Sequence, residues 1–436
     1  MRRLLMTGSL MTLAMRAVAM GVGLLATLLL ANKLGASGLG TYSWALAWTV
    51  VFPFIGDFGF SRLLGREIPG LRVEGLHGAL RGLLVDGPVV VTVFSIAVAI
   101  CAAAAGVAFL PSNRLAPFLI AVLLTPVIAL TTVGQGIAQA LGHVGLSRIP
   151  EDVVRPLVGL AGIIVCWVLL DLPTTPTVGM AVQAVAFTAA FAVSVALARS
   201  LWPRELRQAG RERRPRHWTQ QAVPLAILSG VSTSLSQIDI ILLGILSTAS
   251  EVGLYATSTR LASGVGVAEF AVNGAFLPVA ARLYRSKEIG RLSVLSPKVA
   301  LLGTALAVAL AAPLLAFPKP ILSLFGPQFP DAAFQVRILC LSFLASVVMG
   351  QNLTLLSMTG HTRAILIGTA VAMGSNIAMN GILIPPLGAD GAALAWLSST
   401  VLWDGVLIWQ IRRLLGFYAG PFAYRRSRPN GIDVAG

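Results

Sequence analysis

"VVFPFIGDFGFSRLLGREI" (residues 50–68) begins as an apolar helix and then places a single carboxylate, Asp57, among phenylalanines. Arg62 and Arg66 follow it closely in the chain. A charge inside a bilayer costs at least about 2.5–3.5 kcal/mol, so it requires a partner, water or a route to the surface. The Asp57 carboxylate therefore needs a specific neighbour, and the rest of the sequence has to supply it.

The composition of the whole chain is that of a membrane protein. Of its 436 residues, 56% are hydrophobic and 11% are charged, and the mean hydropathy is +0.84. Soluble proteins average about 25% charged residues. Apolar runs long enough to cross a roughly 30 Å hydrocarbon core recur along the entire length. We predict an all-α polytopic membrane protein with about twelve spans, at residues 9–31, 41–64, 83–110, 115–141, 153–171, 177–199, 221–246, 251–281, 294–316, 331–357, 362–384 and 389–412.

The net charge of +15 is distributed by side of the membrane. When loops are assigned alternately to the two sides, one side receives nearly all basic residues and the other receives Lys33, Arg114 and Lys319. This is the positive-inside pattern, and it predicts that both termini are cytoplasmic. The basic excess is thus a topology signal, with contact to anionic membrane lipids as a second role. No nucleic acid partner is expected.

Nothing in the sequence has the spacing of a metal or cofactor site. The three cysteines lie singly in apolar spans, and the four histidines are scattered over loops. "GASGLG" (35–40) joins two spans rather than a strand and a helix, so it is not a dinucleotide fingerprint. The external connections are short and carry no catalytic constellation. We expect no metal, no cofactor and no enzyme activity.

A basic polar stretch divides the chain into two halves. We predict an N-terminal six-helix lobe at 1–200, a basic cytoplasmic linker at 201–220, a C-terminal six-helix lobe at 221–414 and a cytoplasmic tail at 415–436. The linker is either a solvated connection or a docking segment.

The two halves share a local signature. "ASGLGTY" (36–42) and "ASEVGLY" (249–255) match at four of seven positions, each in the first external turn of its half. This repetition predicts two six-helix pseudo-repeat lobes around a central cavity. Such repeats rock to expose a shared site to alternate sides of the membrane.

Three longer segments resemble a known family. These are "MRAVAMGVGLLATLLLANKLGASGLGTYSWALAW" (15–48), "FIGDFGFSRLLGREI" (54–68) and "LYATSTRLASGVGVAEFAVNGAFLPVAARLYR" (254–285). An Arg in helix one, a leucine–glycine turn ending in Tyr, and an Asp-x-Gly near the end of helix two resemble bacterial polysaccharide-repeat-unit flippases. These belong to the multidrug/oligosaccharidyl-lipid/polysaccharide exporter superfamily.

The resemblance implies a flippase of the bacterial inner membrane. Its substrate is an undecaprenyl-diphosphate-linked oligosaccharide for polysaccharide, O-antigen or exopolysaccharide synthesis, and a polymerase and glycosyltransferases of the same pathway are partners. A multidrug or metabolite exporter of the same fold is the alternative. A major facilitator transporter fits less well, because Ser61 and two leucines stand where the loop motif of that family requires other residues.

Charged residues within the spans are the first candidate site residues. The resemblance implies that Arg16 and Arg260 attract the diphosphate. Asp57 is expected to pair with Arg16, since both lie roughly 10 Å from the cytoplasmic ends of sequential helices, or to cap its helix; substrate contact or proton coupling is the alternative. Asp239 is expected to pair with Arg260, in a charge pair that serves structure, gating or coupling. Glu269 is a coupling candidate, and it shares a face with Arg260 only if "SGVGV" (263–267) bends helix eight.

Uncharged polar residues in the spans form a second group. We predict that sugar is bound by the amides and hydroxyls of Ser232, Ser236, Gln135, Gln139, Asn376 and Asn380, with interhelical hydrogen bonding as the alternative role. Arg337 and Asp404 lie nearer the span ends, where we expect them to reach the surface. Prolines within the spans, including Pro53, Pro88 and Pro313, are expected to supply bends.

Overall fold

The computed structural model describes residues 2–202, 210–212, 216–223, 225–226 and 237–416. In this part of the chain every regular element is a helix. The chain divides into two compact units, unit 1 (Met1–Gly253) and unit 2 (Leu254–Gly436). The four predicted domain boundaries stay predictions, because much of the linker and of the seventh span lies outside the described residues.

Ten helices are found among the described residues before Ala249, all in unit 1. They are α1 (Arg2–Asp57), α2 (Phe60–Val73), α3 (His77–Phe109), α4 (Ser112–Leu123), α5 (Thr125–Ala140), α6 (Val144–Ser147), α7 (Arg155–Ile164), α8 (Pro176–Ser200), α9 (216–223) and α10 (Ile238–Leu246). Two π-helical turns, Pro150–Val154 and Val165–Leu169, flank α7.

The remaining helices lead into and build unit 2. They are α11 (Ala249–Ala262), which crosses the boundary, α12 (Gly266–Arg285), α13 (Ile289–Ala316), α14 (Pro318–Ser323), α15 (Ala333–Met349), α16 (Asn352–Met358) and α17 (Thr362–Leu415). A 3₁₀ turn, Phe329–Ala332, precedes α15.

The described residues include nine helical stretches long and apolar enough to cross a membrane. Two of them, α1 and α17, each hold two predicted spans, joined at Gly35 (φ 65°) and Gly388 (φ 56°). Both joints fall in the connections that the sequence predicts. The predicted fold class, an all-α polytopic membrane protein, is confirmed.

Several predicted spans are interrupted, and the interruptions lie mainly at glycines. The span predicted at 41–64 ends at Asp57 and restarts as α2 after Gly59 (φ 79°). The span predicted at 331–357 breaks at Gly350 (φ 100°). Glycine tolerates positive φ without a steric cost, which lets the chain change direction within one residue.

The predicted proline bends differ from these glycine breaks. Pro53, Pro88 and Pro313 lie inside helices and not at their breaks, so a bend at each of them stays a prediction. Pro126 does follow a break, since α4 ends at Leu123 and α5 begins at Thr125. Proline is tolerated in the first turn of a helix because its missing N–H has no partner there in any case.

The repeated sequence signature is a reciprocal contact within unit 1. A Cβ built on Gly40 would overlap the carbonyl oxygen of Ala249, and one built on Gly253 would overlap the carbonyl oxygen of Ala36. Each copy of the motif therefore places its alanine carbonyl against the glycine of the other copy. The duplication is thus a packing arrangement as well as a sequence pattern, because each glycine admits the backbone of the other repeat.

The described parts of the linker pack against unit 1. The backbone N–H of Glu212 donates to the carbonyl of Gly78 (3.1 Å), and the Glu212 carbonyl lies where a Cβ on Gly82 would stand. Beside this contact, Arg211 forms an ion pair with the buried carboxylate of Asp86. We refer to residues 210–212 as the strap.

Helix α9 continues this packing after the strap. Trp218 is 2% exposed and joins the core cluster that α2, α3 and α5 build around Phe60. Trp218 is therefore buried, whereas residues 210–212, 216, 217 and 220 are exposed, and the choice between a solvated connection and a docking segment stays a prediction. Two glycines on one face of α3 make room for backbone, and an aromatic side chain supplies the burial.

We predict that Gly40→Ala and Gly253→Ala each destabilise the protein. A methyl group at either position meets backbone of the other repeat, and overpacking of this kind costs about 1–3 kcal/mol. The measurement is thermal unfolding of detergent-purified protein. Gly21→Ala is the matched control, because a Cβ there has open space and alanine favours the helix. Equal unfolding temperatures for all three variants would contradict the reciprocal contact.

Candidate functional site

The Asp57 carboxylate is held by Ser61, in the first turn of the next helix. It accepts hydrogen bonds from the backbone N–H of Ser61 (3.2 Å) and from the Ser61 hydroxyl (2.5 Å), and it is 7% exposed. It therefore caps α2, where a carboxylate also complements the positive end of the helix dipole.

The local backbone explains why an Asp-x-Gly sequence stands here. Phe58 (φ 49°) and Gly59 (φ 79°) turn the chain between α1 and α2. At Gly59 a Cβ would collide with the Ala222 carbonyl, so glycine also admits close approach of α9. The aspartate, two residues earlier, then reaches forward to Ser61.

The expected pairing of Asp57 with Arg16 is wrong, and the alternative of a helix cap is the one observed. Ser61 supplies two hydrogen bonds to the carboxylate at short range, whereas Arg16 is exposed on α1 and is not among the contacts of Asp57. Ser61 is four residues further along the chain, so its hydroxyl and N–H reach the carboxylate through local structure, whereas a bond from Arg16 would require two spans to pack together.

Of the two glutamines of α5 that are predicted to bind sugar, one is buried and the other is exposed. Gln135 is 8% exposed, whereas Gln139, one turn further on, is exposed. Gly134 and Gly136 beside Gln135 bring α5 against α8 and α2, which explains the burial. Sugar binding by either glutamine stays a prediction.

The eighth predicted span, residues 251–281, is interrupted at "SGVGV" (263–267), where the sequence predicts a bend. α11 ends at Ala262 and α12 begins at Gly266. Between them the N–H groups of Gly264 and Val265 donate to carbonyls three residues earlier, which is 3₁₀ bonding. The condition for Arg260 and Glu269 to share a face is therefore met in part, since the α-helical phase is reset between them. Arg260 itself is exposed at the end of α11.

Glu269 belongs to a polar network inside unit 2. The Asn273 amide donates to the Glu269 carboxylate (3.5 Å), and the Thr354 hydroxyl donates to the Asn273 carbonyl oxygen (2.6 Å). These contacts join α12 to α16 through side chains alone.

A second carboxylate, Asp404 of α17, completes this network. Asp404 is 4% exposed, and its Oδ1 accepts a hydrogen bond from the Asn352 amide (3.2 Å). It also interacts electrostatically with Glu269, as two like charges do. Among the described residues no basic side chain pairs with either acid. We call Glu269, Asn273, Asn352, Thr354 and Asp404 the acidic network.

The break at Gly350 positions the central amide of this network. Gly350 has φ 100°, and after it Gln351 and Asn352 begin α16 with each side chain 1% exposed. Neither polar atom of the Gln351 side chain has a hydrogen-bond partner among the described residues. A buried amide without a partner is costly, which is typical of a site that accepts a ligand or changes conformation.

Sequence reasoning missed most of the acidic network. Asp404 lies near a span end, and its side chain was expected to reach the membrane surface. The side chain is buried instead, so this prediction is wrong. The available signal was "MGQN" (349–352), where a glycine followed by two amides interrupts an apolar span. Arg337 does lie near the surface, where its Nε donates to the carbonyl of Leu315 (3.4 Å).

Asn376 and Asn380 hydrogen-bond within unit 2. Asn380 donates to the backbone (2.9 Å) and side-chain (3.1 Å) oxygens of Asn376, which donates to Ser399 (3.2 Å). Both are fully buried. The interhelical bonding predicted as their alternative role is therefore present, and sugar contact stays a prediction.

The other candidates lie around the seventh span. Asp239 is 3% exposed in the first turn of α10. Its pairing with Arg260, which belongs to the other unit, stays a prediction. Ser232 and Ser236 lie outside the described residues.

Comparison with protein families gives two matches. Residues 5–284 match the family described as polysaccharide biosynthesis protein, and residues 224–382 match the family MatE. No curated protein gives a significant match to the sequence.

Solved structures share the fold over nearly the whole chain. An inward-facing multidrug resistance MATE family transporter of the MOP superfamily is 15% identical, with a TM-score of 0.69, covering 92% of this chain and 96% of that one. The lipid II flippase MurJ in an inward closed conformation is 14% identical, with a TM-score of 0.69, covering 93% and 87%. A MOP superfamily transporter from Pyrococcus furiosus is 13% identical, with a TM-score of 0.59, covering 94% and 95%.

Identities this low establish a shared fold. Together with the two family matches, which cover residues 5–284 and 224–382, that fold makes the molecule a multi-pass membrane transporter of the multidrug/oligosaccharidyl-lipid/polysaccharide exporter superfamily. The family match covers more than half of the chain, and the protein belongs to the polysaccharide biosynthesis protein family.

We predict that Asp57→Ala lowers stability by about 0.5–2 kcal/mol, the usual cost of losing a helix cap. Asp57→Asn should retain most of the stability, because asparagine also accepts the Ser61 hydrogen bonds. Thermal unfolding of the purified protein measures both variants. If Asp57→Asn were as damaging as Asp57→Ala, the negative charge rather than the cap would be what matters.

Proposed function

We propose that the protein moves oligosaccharides linked to undecaprenyl diphosphate across the bacterial inner membrane by alternating access. It does so for synthesis of a surface polysaccharide, with both termini in the cytoplasm and with a polymerase and glycosyltransferases as pathway partners. The match to the polysaccharide biosynthesis family over residues 5–284 is the observation that carries this proposal. The likeness of the fold to a lipid II flippase supports it.

The accessibility of the charged groups supports an anionic substrate. Arg16 and Arg260, the arginines predicted to bind the diphosphate, are exposed, whereas Asp57, Asp239 and Asp404 are each less than a tenth exposed. Among these five candidate residues the accessible charges are therefore cationic. Arginine stays charged in a low dielectric and binds phosphate oxygens with two parallel hydrogen bonds, which suits a diphosphate headgroup.

Export of drugs or metabolites is the second candidate function. The MatE match over residues 224–382 and the likeness to a multidrug resistance transporter favour it. A cationic drug requires an accessible carboxylate, and Glu269 is half-buried, as are Glu251 and Asp390 at the ends of their spans. The Pyrococcus furiosus transporter has a binding pocket of reversed polarity, which suggests a different function for that protein. The charge of the binding pocket is therefore the property that distinguishes a flippase for an anionic lipid from an exporter of cationic drugs.

The acidic network is the element we assign to energy coupling. Two carboxylates that share a buried site cannot both remain charged without a compensating positive charge. One proton or one monovalent cation on the Glu269–Asp404 pair satisfies this requirement. The pair joins α12 to α17, so loading and unloading of the ion changes the attraction between helices of unit 2.

We predict that Arg260→Gln lowers flipping of lipid-linked oligosaccharide about tenfold or more, since a charge-assisted hydrogen bond is worth about 1.5–3 kcal/mol. Arg260→Lys should retain part of the rate. The double change Arg260→Gln with Asp239→Asn separates phosphate binding from a structural ion pair, because it removes both charges together. The measurement is flipping in proteoliposomes, with abundance in the membrane determined for each variant.

Loss of flipping in the double variant at normal abundance is the expected result. Arg337→Gln, which removes an exposed arginine elsewhere in unit 2, is the matched control and should flip normally. A wild-type rate in the double variant would assign Arg260 a structural role. Saturable efflux of lipophilic cations by cells that express the protein, with no flipping, would favour the exporter instead.

We predict that Asp404→Asn and Glu269→Gln each lower the gradient-stimulated part of transport about tenfold, the size of a typical coupling energy. Transport down a substrate gradient should change less. Proteoliposomes with an imposed proton or sodium gradient measure the two components separately. Asp331→Asn, at an exposed acid of the same unit, is the control. Full gradient stimulation in both network variants would exclude this pair as the coupling element.

A further inference from the structure

A cavity of about 390 Å³ lies between α3 and α9 in unit 1, apart from all the residues discussed above as a transport site. Its wall on α3 consists of Val89, Val93 and Phe94, and its wall on α9 consists of Arg216, Thr219 and Gln220. One side is therefore hydrocarbon, and the other carries a guanidinium, a hydroxyl and an amide.

The apolar wall faces the surroundings of the protein. Val89 and Val93 are 56% and 62% exposed on a helix long and apolar enough to cross a membrane. In a membrane protein such side chains contact lipid chains. Phe94 forms the inner part of this wall and stacks on Phe58, with ring centroids 4.5 Å apart, so it is fixed in position.

The polar wall is one face of an amphipathic helix. Trp218 and Ala222 bury the opposite face of α9 in the core of unit 1. Arg216, Thr219 and Gln220 follow the spacing of three and four residues that places side chains on one face of a helix. The burial of Trp218 thus sets the direction in which the three polar groups point.

The cation in this wall is available for a ligand. Arg216 is exposed and forms no hydrogen bond or ion pair with any residue that the structure describes. The neighbouring arginine of the strap, Arg211, is already neutralised by Asp86. Among the described residues that line the cavity, Arg216 is thus the charged one, and it stands beside a lipid-facing apolar surface.

We propose that this cavity binds one anionic phospholipid from the leaflet on the basic side of the membrane. The Arg216 guanidinium holds the phosphodiester, Thr219 and Gln220 contact headgroup oxygens, and an acyl chain lies along Val89 and Val93. One guanidinium matches the single charge of a phosphodiester. A diphosphate carries more charge and a larger headgroup, which this cavity does not balance.

Native mass spectrometry of the delipidated full-length protein tests the site. Phosphatidylglycerol and phosphatidylcholine are the probes, added in separate titrations. Wild-type protein is expected to retain one phosphatidylglycerol about fivefold or more tightly than phosphatidylcholine. Arg216→Gln removes this preference. Val93→Trp, which fills the apolar part of the cavity and leaves the charge, lowers binding of both lipids.

Arg72→Gln is the matched control, because Arg72 is an exposed arginine on α2 that does not line the cavity. It should bind phosphatidylglycerol as the wild type does. Thermal unfolding of each variant shows whether its fold is intact, and flipping activity is not part of the readout, so failure of the proposed function leaves the test valid.

Two results would overturn the proposal. An unchanged lipid preference in Arg216→Gln would mean that the cavity does not recognise the phosphate charge. Displacement of phosphatidylglycerol by undecaprenyl diphosphate, in the wild type but not in Arg216→Gln, would make the cavity a site for the transported lipid carrier rather than for a phospholipid.

Discussion

A helix that crosses lipid has to satisfy its backbone hydrogen bonds within the protein, and this constraint governs where unusual residues occur in this molecule. At each interruption of a span, a different set of polar groups accompanies the break. Asp57 caps the helix that follows Gly59, and 3₁₀ hydrogen bonds carry the chain from Ala262 to Gly266. After Gly350, two amides begin the next helix.

The interruptions also gather the groups that can perform transport. Arg260 and Glu269 stand on either side of one break, and Asn352 stands at another, within hydrogen-bonding distance of Asp404. Breaking a helix releases backbone groups and requires polar side chains, which in lipid are tolerated only inside the protein. The polar residues found at the breaks are therefore also the residues that we propose for transport.

The sequence predicts well what depends on length and polarity. Apolar runs and the turns at Gly35 and Gly388 identify the spans, because the length of an apolar run and the backbone freedom of a glycine are both local properties of the sequence. The partner of Asp57 was wrong because depth along two helices does not reveal that Ser61 is nearer. Asp404 was wrong because distance from a span end does not tell which face of a helix is buried; that depends on Asn352, some fifty residues away. Arg16 and Arg260 are predicted to bind the diphosphate, and their role in transport still rests on the family.

The strap has a consequence for synthesis of the chain. α3 presents Gly78 and Gly82 as an open groove and carries Asp86 at the end of it, yet the residues that fill the groove and neutralise the acid come after all six predicted spans of the first half. Unit 1 cannot reach its final packing as those spans leave the ribosome. The groove of α3 is filled when residues 210–212 and Trp218 emerge, and the contacts of Gly40 and Ala36 form later still, when Ala249 and Gly253 follow, so the end of the first half in sequence precedes the end of its folding.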